Sequence, residues 1–170
     1  MRCSRWRLLS PRPELSVARG RVGDDLTSGG SMGFRTMDDD EAAKFLAQPL
    51  VAVLAIDDPG WSPHVTPVWF HHLPGENRFQ VMTPAKSKKA RLHREGSGEL
   101  SLSVQTADGP TAKYVNMQGA ARFLPLSSDL LNAMVEKYLP EEFRAAYLAD
   151  PPEDSMFDIT PRRITTGVIG

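Results

Sequence analysis

Hydrophobic and polar positions divide the chain into short elements. Leu50 to Ile56 (LVAVLAI) is apolar on both faces and rich in β-branched residues, which predicts a buried strand. His64 to Leu73 (HVTPVWFHHL) reads as a second strand, with Pro67 marking an edge or a bulge. Arg78 to Thr83 and Leu100 to Thr106 alternate as a third and a fourth. Residues 111–124 make a long fifth strand, in which Gly119 permits a bulge or a close approach. Arg163 to Ile169 makes the last. Asp57-Asp58-Pro59-Gly60, Pro74-Gly75-Glu76-Asn77 and Asp108-Gly109-Pro110 are turn sequences between them.

Helical signals are fewer. Acidic residues 38–41 precede Ala42-Ala43-Lys44-Phe45-Leu46, a short helix ended before Pro49. Residues 84–95 are basic, helix-compatible and closed by Gly96 and Gly98. Ser127-Ser128-Asp129 caps a helix to Tyr138 that carries Leu130, Leu131, Met134, Val135 and Tyr138 on one face. A further short helix covers Glu141 to Ala149. The sum is a mainly β chain with peripheral helices, about six strands in a meander, and a small antiparallel barrel.

Charge divides the chain in two. Residues 1–36 hold seven arginines against Glu14, Asp24 and Asp25, a net of +4, whereas residues 37–170 hold 13 basic and 18 acidic residues. The first segment shows no periodicity, and it predicts a disordered tail in which Met32 and Met37 would each serve as a start. The working domain is then 37–170. Leu8 and Leu9 run at once into Ser10-Pro11-Arg12, so no secretory signal is expected. The longest apolar run is seven residues, against about 20 for a membrane span, so no membrane partner is expected. The single cysteine, Cys3, excludes an intrachain disulfide and suits a cytoplasmic protein. The overall charge of −1 argues against nucleic acid.

Five basic residues (Lys86, Lys88, Lys89, Arg91, Arg94) lie within nine positions of an acidic domain. They follow a strand and open a helix, beside the hydroxyls of Thr83 and Ser87. Helix-terminal amides, a hydroxyl and cations make a phosphate site. A solvated basic helix face reads the same way. The proline-interrupted strand 64–70 offers an edge, with Trp69 and Phe70 on opposite faces. Such an edge suits a flat heterocycle, and equally a core or a dimer interface. His71 and His72 face opposite sides of a strand, and neither His64 nor His93 adds metal-ligand spacing. No HExxH, GxSxG, paired-cysteine or GxGxxG pattern occurs, so hydrolase and Rossmann chemistry and a metal site lack support.

The order VAVLAIDD, PHVTPVWF, RFQVMTPAKSKKARLHRE, ELSLSV, AKYVNMQGAARF resembles the pyridoxamine 5′-phosphate oxidase-like split β-barrel flavoproteins. Within them it is most similar to the actinobacterial flavin/deazaflavin oxidoreductases, many of which use coenzyme F420. The resemblance spans roughly residues 40–124, and rests on the HVTPVWF strand and on Thr83, Ser87, Lys89 and Arg91 in sequence. It implies a six-stranded split barrel and a homodimer with cofactor sites at the subunit interface. Ser87, Lys88 and Lys89 would hold the cofactor phosphate, with Lys86 and Arg91 nearby. Val65, Thr66, Pro67 and Val68 would line the isoalloxazine or deazaflavin ring. Tyr114 and Gln118 would approach from the same or the partner chain. The family often has arginine-asparagine after the basic pair, whereas this chain has Arg91-Leu92-His93. The implied function is hydride transfer from reduced F420, or alternatively FMN, to a small organic substrate. Five cations suit the phosphodiester and polyanionic tail of F420. A non-enzymatic protein on the same fold, holding flavin, deazaflavin or haem, uses the same residues.

Overall fold

The computed structural model describes residues 33–170. The first helix, α1 (Asp39–Ala47), begins where the acidic turn predicts it, and the Asp38 carboxylate accepts from the Glu41 amide at 2.8 Å. The strands are β1 (Phe34–Arg35), β2 (Ala52–Ile56), β3 (His64–Val68), β4 (His71–Leu73), β5 (Arg78–Thr83), β6 (Glu99–Asp108), β7 (Thr111–Pro125) and β8 (Ser155–Ile169). The remaining helices are α2 (Lys88–Glu95), α3 (Ser128–Tyr138) and α4 (Glu141–Ala149). No helix among the described residues is long and apolar enough to cross a membrane.

The eight strands of the described residues join one antiparallel sheet, in the order β3-β2-β6-β7-β8-β5-β4, with β1 paired to the end of β8. The sheet forms a half-barrel, consistent with a split barrel. It differs from the expected six-stranded meander in three ways. The run 64–73 is two strands, because the backbone leaves the sheet at Trp69 and Phe70. β6 returns to pair with β2 rather than with β5. β8 starts at Ser155, not Arg163. Its first half was hidden because residues 155–159 are all buried, and a strand covered on both faces shows no alternation.

Residues just ahead of the expected domain start at 37 also pair. Phe34 and Arg35 pair with Ile169 and Val168, and Gly33 and Gly170 exchange backbone bonds of 2.9 and 3.1 Å. Arg35 forks onto Glu41 at 2.6 and 2.7 Å, fixing this strand to α1. The rest of the expected tail lies outside the described residues.

The core sits inside the curve of the sheet. Leu54, Leu102, Val115, Met117, Val81, Phe79 and Phe157 meet Phe45 and Leu46 of α1 and Leu92 of α2. On the other face, α3 lays Leu130 and Met134 on Met82 and Met156. Asp158 is 1% exposed and is held by Arg78 and Arg122, the latter at 2.5 Å. Burial alone would raise its carboxyl, but the two guanidiniums outweigh this and hold it below the usual carboxylate range.

The ladder between β7 and β8 shifts register at Gln118/Gly119. A Cβ at Gly119 would lie 2.2 Å from the Thr160 carbonyl oxygen and 2.9 Å from the Pro161 Cα. Backbone on this side cannot yield as a side chain would. Gly119→Ala is therefore expected to destabilise the fold by about 1–3 kcal/mol, read as a lower urea midpoint at unchanged slope.

Candidate functional site

Two adjoining elements build the site. The first is β3, an edge strand, so among the described residues one side of its backbone has no ladder partner. Pro67 occurs there, where a residue without an amide is tolerated. Val65 is 57% exposed and Pro67 is exposed, while Val68 turns into the core. Thr66 is half-buried, opposite Leu54 of β2.

The second element is α2. The turn Pro84–Ser87 closes with Ser87 N–H donating to the Pro84 carbonyl at 3.0 Å, and Ser87 caps the helix. Its hydroxyl accepts from the Ala90 amide at 3.2 Å and lies 3.0 Å from the fully buried Thr83 hydroxyl. The amides of Lys88 and Lys89, in the first turn, have no intrahelical acceptor. Ala85 and the Asp154 carboxylate fix the approach, with the amide donating at 2.7 Å.

The cations of this cluster are not equivalent. Lys88 pairs with Asp58 at 2.8 Å, and Arg91 pairs with Glu95 at 2.9 Å. Arg94 donates to the Ala85 carbonyl and lies over the Phe123 ring. Lys86 is exposed. Lys89 is half-buried, and its ammonium is pushed down by burial, with Glu153 opposing.

Cavities flank α2 on two sides. One, of about 710 Å³, is lined by Asp58, Trp61, His64, Val65, Lys88 and Arg91. The other, of about 480 Å³, is lined by Pro67, Val68, Trp69, Met82, Lys89, Tyr147 and Glu153, among others. Val65 thus shares one cavity with Lys88 and Arg91, and Pro67 and Val68 share the other with Lys89, whereas Thr66, Thr83, Lys86 and Ser87 line neither. Gln118 shares a third hollow with Val65, on the outer face of the sheet. Tyr114 stands apart within one chain: its ring covers Gly167, in a hollow with Gln105, Lys113 and Ile169.

Sequence reasoning named Pro67, Val68, Trp69 and Lys89 of the second cavity but missed Tyr147 and Glu153, and the part played by Tyr138. Trp69 stacks flat on Tyr138, with centroids 4.8 Å apart and planes 2° from parallel, and Tyr147 tilts toward it at 6.2 Å. The Tyr147 hydroxyl donates to Glu153 at 2.6 Å, and burial and this bond both push its phenol up. Tyr138 donates to the Leu50 carbonyl at 2.8 Å and accepts from the Phe70 amide at 3.2 Å; burial pushes its phenol up to about 12. Lys137 donates to the carbonyls of Leu46 (2.8 Å) and Phe70 (3.1 Å), with its ammonium 3.8 Å from the Phe70 ring centroid. The helical pattern of 128–138 flagged Tyr138 as apolar-face packing but carried no sign of its hydroxyl's task.

No protein-family model matches the chain, and no curated protein does. Solved structures do. A conserved hypothetical protein of Mycobacterium tuberculosis matches with a TM-score of 0.63 at 19% identity, over 83% of this chain and 89% of that one. An FAD-binding protein of Mesorhizobium loti matches at 0.56 and 20%, over 82% and 99%. A protein of Corynebacterium glutamicum, provisionally assigned as a pyridoxamine 5′-phosphate oxidase, matches at 0.54 and 13%, over 83% and 96%. At these identities the likeness is one of fold: the chain has the pyridoxamine 5′-phosphate oxidase-like fold.

Burial pushes the Lys137 ammonium down to about 8 from an ordinary 10.5. The folded state therefore binds fewer protons than the unfolded chain in this range, and stability rises with pH. Between about pH 8 and pH 10 the protein is expected to gain stability, and Lys137→Met is expected to lose much of that gain. Urea melts across this range measure it.

Proposed function

We propose that the protein is an oxidoreductase that takes hydride from a reduced flavin-type cofactor, coenzyme F420 or alternatively FMN, and passes it to a small organic substrate. The observation that carries this reading is the meeting of two unlike surfaces across one groove: an edge strand with exposed Val65, and a helix start with first-turn amides and the cations Lys88 and Arg91. A flat ring suits the first and a phosphate the second. When bound, the cofactor supplies the hydride; the protein binds, orients and shields it.

The residues fit such a group. The amides of Lys88 and Lys89 would point their dipoles at a bound anion, and the Lys88 side chain, paired with Asp58 at the groove, would add charge. Ser87 sets the cap geometry that keeps those amides free. The groove continues past Arg91 to Trp61, which is 82% exposed. That length favours a cofactor extending beyond one phosphate, as F420 does. The fold shared with an FAD-binding protein supports a flavin-type ligand in general.

The reading includes a homodimer. The outer face of β3, β2, β6, β7 and β8 carries small side chains (Ala55, Ser101, Ser103, Thr165) around a hollow of about 390 Å³. A second copy on that face would carry Tyr114 and Gln118 toward the site. Light scattering is expected to give twice the chain mass of 18.8 kDa; a monomer at all concentrations overturns this part.

The central test is reconstitution with F420 and with FMN, followed by fluorescence titration. Binding at micromolar levels or tighter is expected for at least one. Lys88→Ala is expected to weaken it by about 1–3 kcal/mol, the usual loss of a charged hydrogen-bond partner. Binding of neither cofactor overturns the reading. Binding without reduction of any acceptor leaves a cofactor carrier instead.

A further inference from the structure

The histidine at position 93 has no task in the site described above. It stands in the last turn of α2, half-buried against the sheet. Its Nε2 lies 3.0 Å from the Ala121 carbonyl oxygen. A carbonyl only accepts, so Nε2 carries a proton and donates. Its Nδ1 is, among the described residues, the one buried side-chain polar atom without a hydrogen-bond partner. The rings of Phe157 and Phe123 flank the imidazole, with centroids 5.0 and 6.3 Å away. We propose that His93 is a positioning residue of the cofactor site: its bond to Ala121 seats α2, and with it the helix start that takes the cofactor phosphate, only while the imidazole is neutral. This rests on the reading of α2 as a phosphate site and adds a control of that site by acidity.

The bond fills a gap in the ladder. β6 begins at Glu99, which pairs with Ala120, so Ala121 has no partner in that strand. The Ala121 amide donates instead to the Gly98 carbonyl at 2.9 Å. The Ala121 carbonyl, on the same side of β7, is left to His93. Inside the core, α2 is otherwise held by Ala90 and Leu92, both buried and apolar. Apolar contact has no direction and leaves a short helix free to slide or turn. One hydrogen bond to a fixed carbonyl removes that freedom. A helix of eight residues spans about 12 Å and moves as one body, so a shift at His93 reaches the amides of Lys88 and Lys89.

The surroundings have no place for a second proton. A charged imidazole donates from both nitrogens, and Nδ1 meets no acceptor. The charged groups nearby offer no counter-ion. On α2, Lys89 stands one turn earlier, opposed by Glu153, and Arg94 lies over the Phe123 ring. Glu95 is exposed and paired with Arg91. On β7 and β8, Arg122 and Asp158 sit next to Phe123 and Phe157 but point to the opposite face, where they pair with each other. The turn 96–98 contributes Ser97, whose hydroxyl accepts from the Glu99 amide. β2, also packed against α2, holds no titratable side chain. A proton at Nδ1 is then a buried charge without a partner, relieved only when the helix end lifts to admit water.

Three measurements on the full chain test this. In heteronuclear NMR at about pH 7.5, wild-type His93 is expected as the neutral Nε2–H tautomer; a charged ring or an Nδ1–H tautomer there overturns the assignment. His93→Gln keeps a donor near the Nε2 position and cannot gain a proton. It is expected to bind F420 and FMN within about twofold of wild type at about pH 7.5. At about pH 5.5, where an ordinary imidazole is charged, wild type is expected to bind about fivefold more weakly than this variant. Comparing the two proteins at one pH cancels the titration of the cofactors and of the other histidines. His93→Leu fills the space without the bond, and is expected to bind about fivefold more weakly than wild type at about pH 7.5. Parallel pH curves for wild type and His93→Gln, or wild-type affinity in His93→Leu, reject the proposal. The third measurement needs no cofactor. Hydrogen exchange, corrected for intrinsic rates, is expected to show residues 88–95 of wild type losing protection on acidification while β7 and β8 keep theirs. Unchanged protection of α2 rejects the seat. Failure of both cofactors to bind wild type instead removes the oxidoreductase reading, and NMR and exchange then decide the seat of α2 by themselves.

Discussion

Two residues, Trp69 and Phe70, join the opposite edges of the sheet. β3 and β4 stand at the two ends of the strand order, yet only this pair separates them. Three peptide units reach about 11 Å at most, so the sheet has no choice but to curl until its edges nearly meet. The curl creates an interior for the core and brings β3 to α2. It also strips the link of ladder partners, and a buried backbone polar group without a partner is costly. α3 supplies them: Lys137 and Tyr138, adjacent on one helix, satisfy carbonyls at Leu46, Leu50 and Phe70. The barrel and the cavity beside it share this one fastening.

Much of this was legible in the sequence. Period-two patterns gave β5 with its bounds intact and β6 and β7 to within a few residues, and Ser127 announced α3. Pro67 announced an edge or a bulge, and β3 is an edge strand. The unread parts share a cause. The break inside 64–73 depends on partners from α3, tens of residues away, so no local pattern encodes it. The first half of β8 carries a buried aspartate and a proline, both marks of loops in a local reading. Asp158 is tolerated because Arg78 and Arg122 reach it across the sheet, and Pro161 because it faces the bulge at Gly119.

The site was legible in composition but not in direction. Counting charges located the cluster at 86–94, and the count treated five cations as one patch. The fold sorts them. Asp58 takes Lys88, Glu95 takes Arg91, the Ala85 carbonyl takes Arg94, and helical rotation turns Lys89 to another cavity. The aromatics Trp69, Tyr138 and Tyr147 come from three separate segments, and no local spacing collects them.

The fastening also bears on how the chain gathers. Lys137 and Leu46 lie 91 positions apart, and the Tyr138 bonds to Phe70 span 68. Closures of that length carry an entropic toll, and the β5–β8 ladder carries one of the same size. A fold built on contacts so far apart in sequence belongs to the class that gathers slowly, and a chain whose edges are linked by two residues has no shorter way to close.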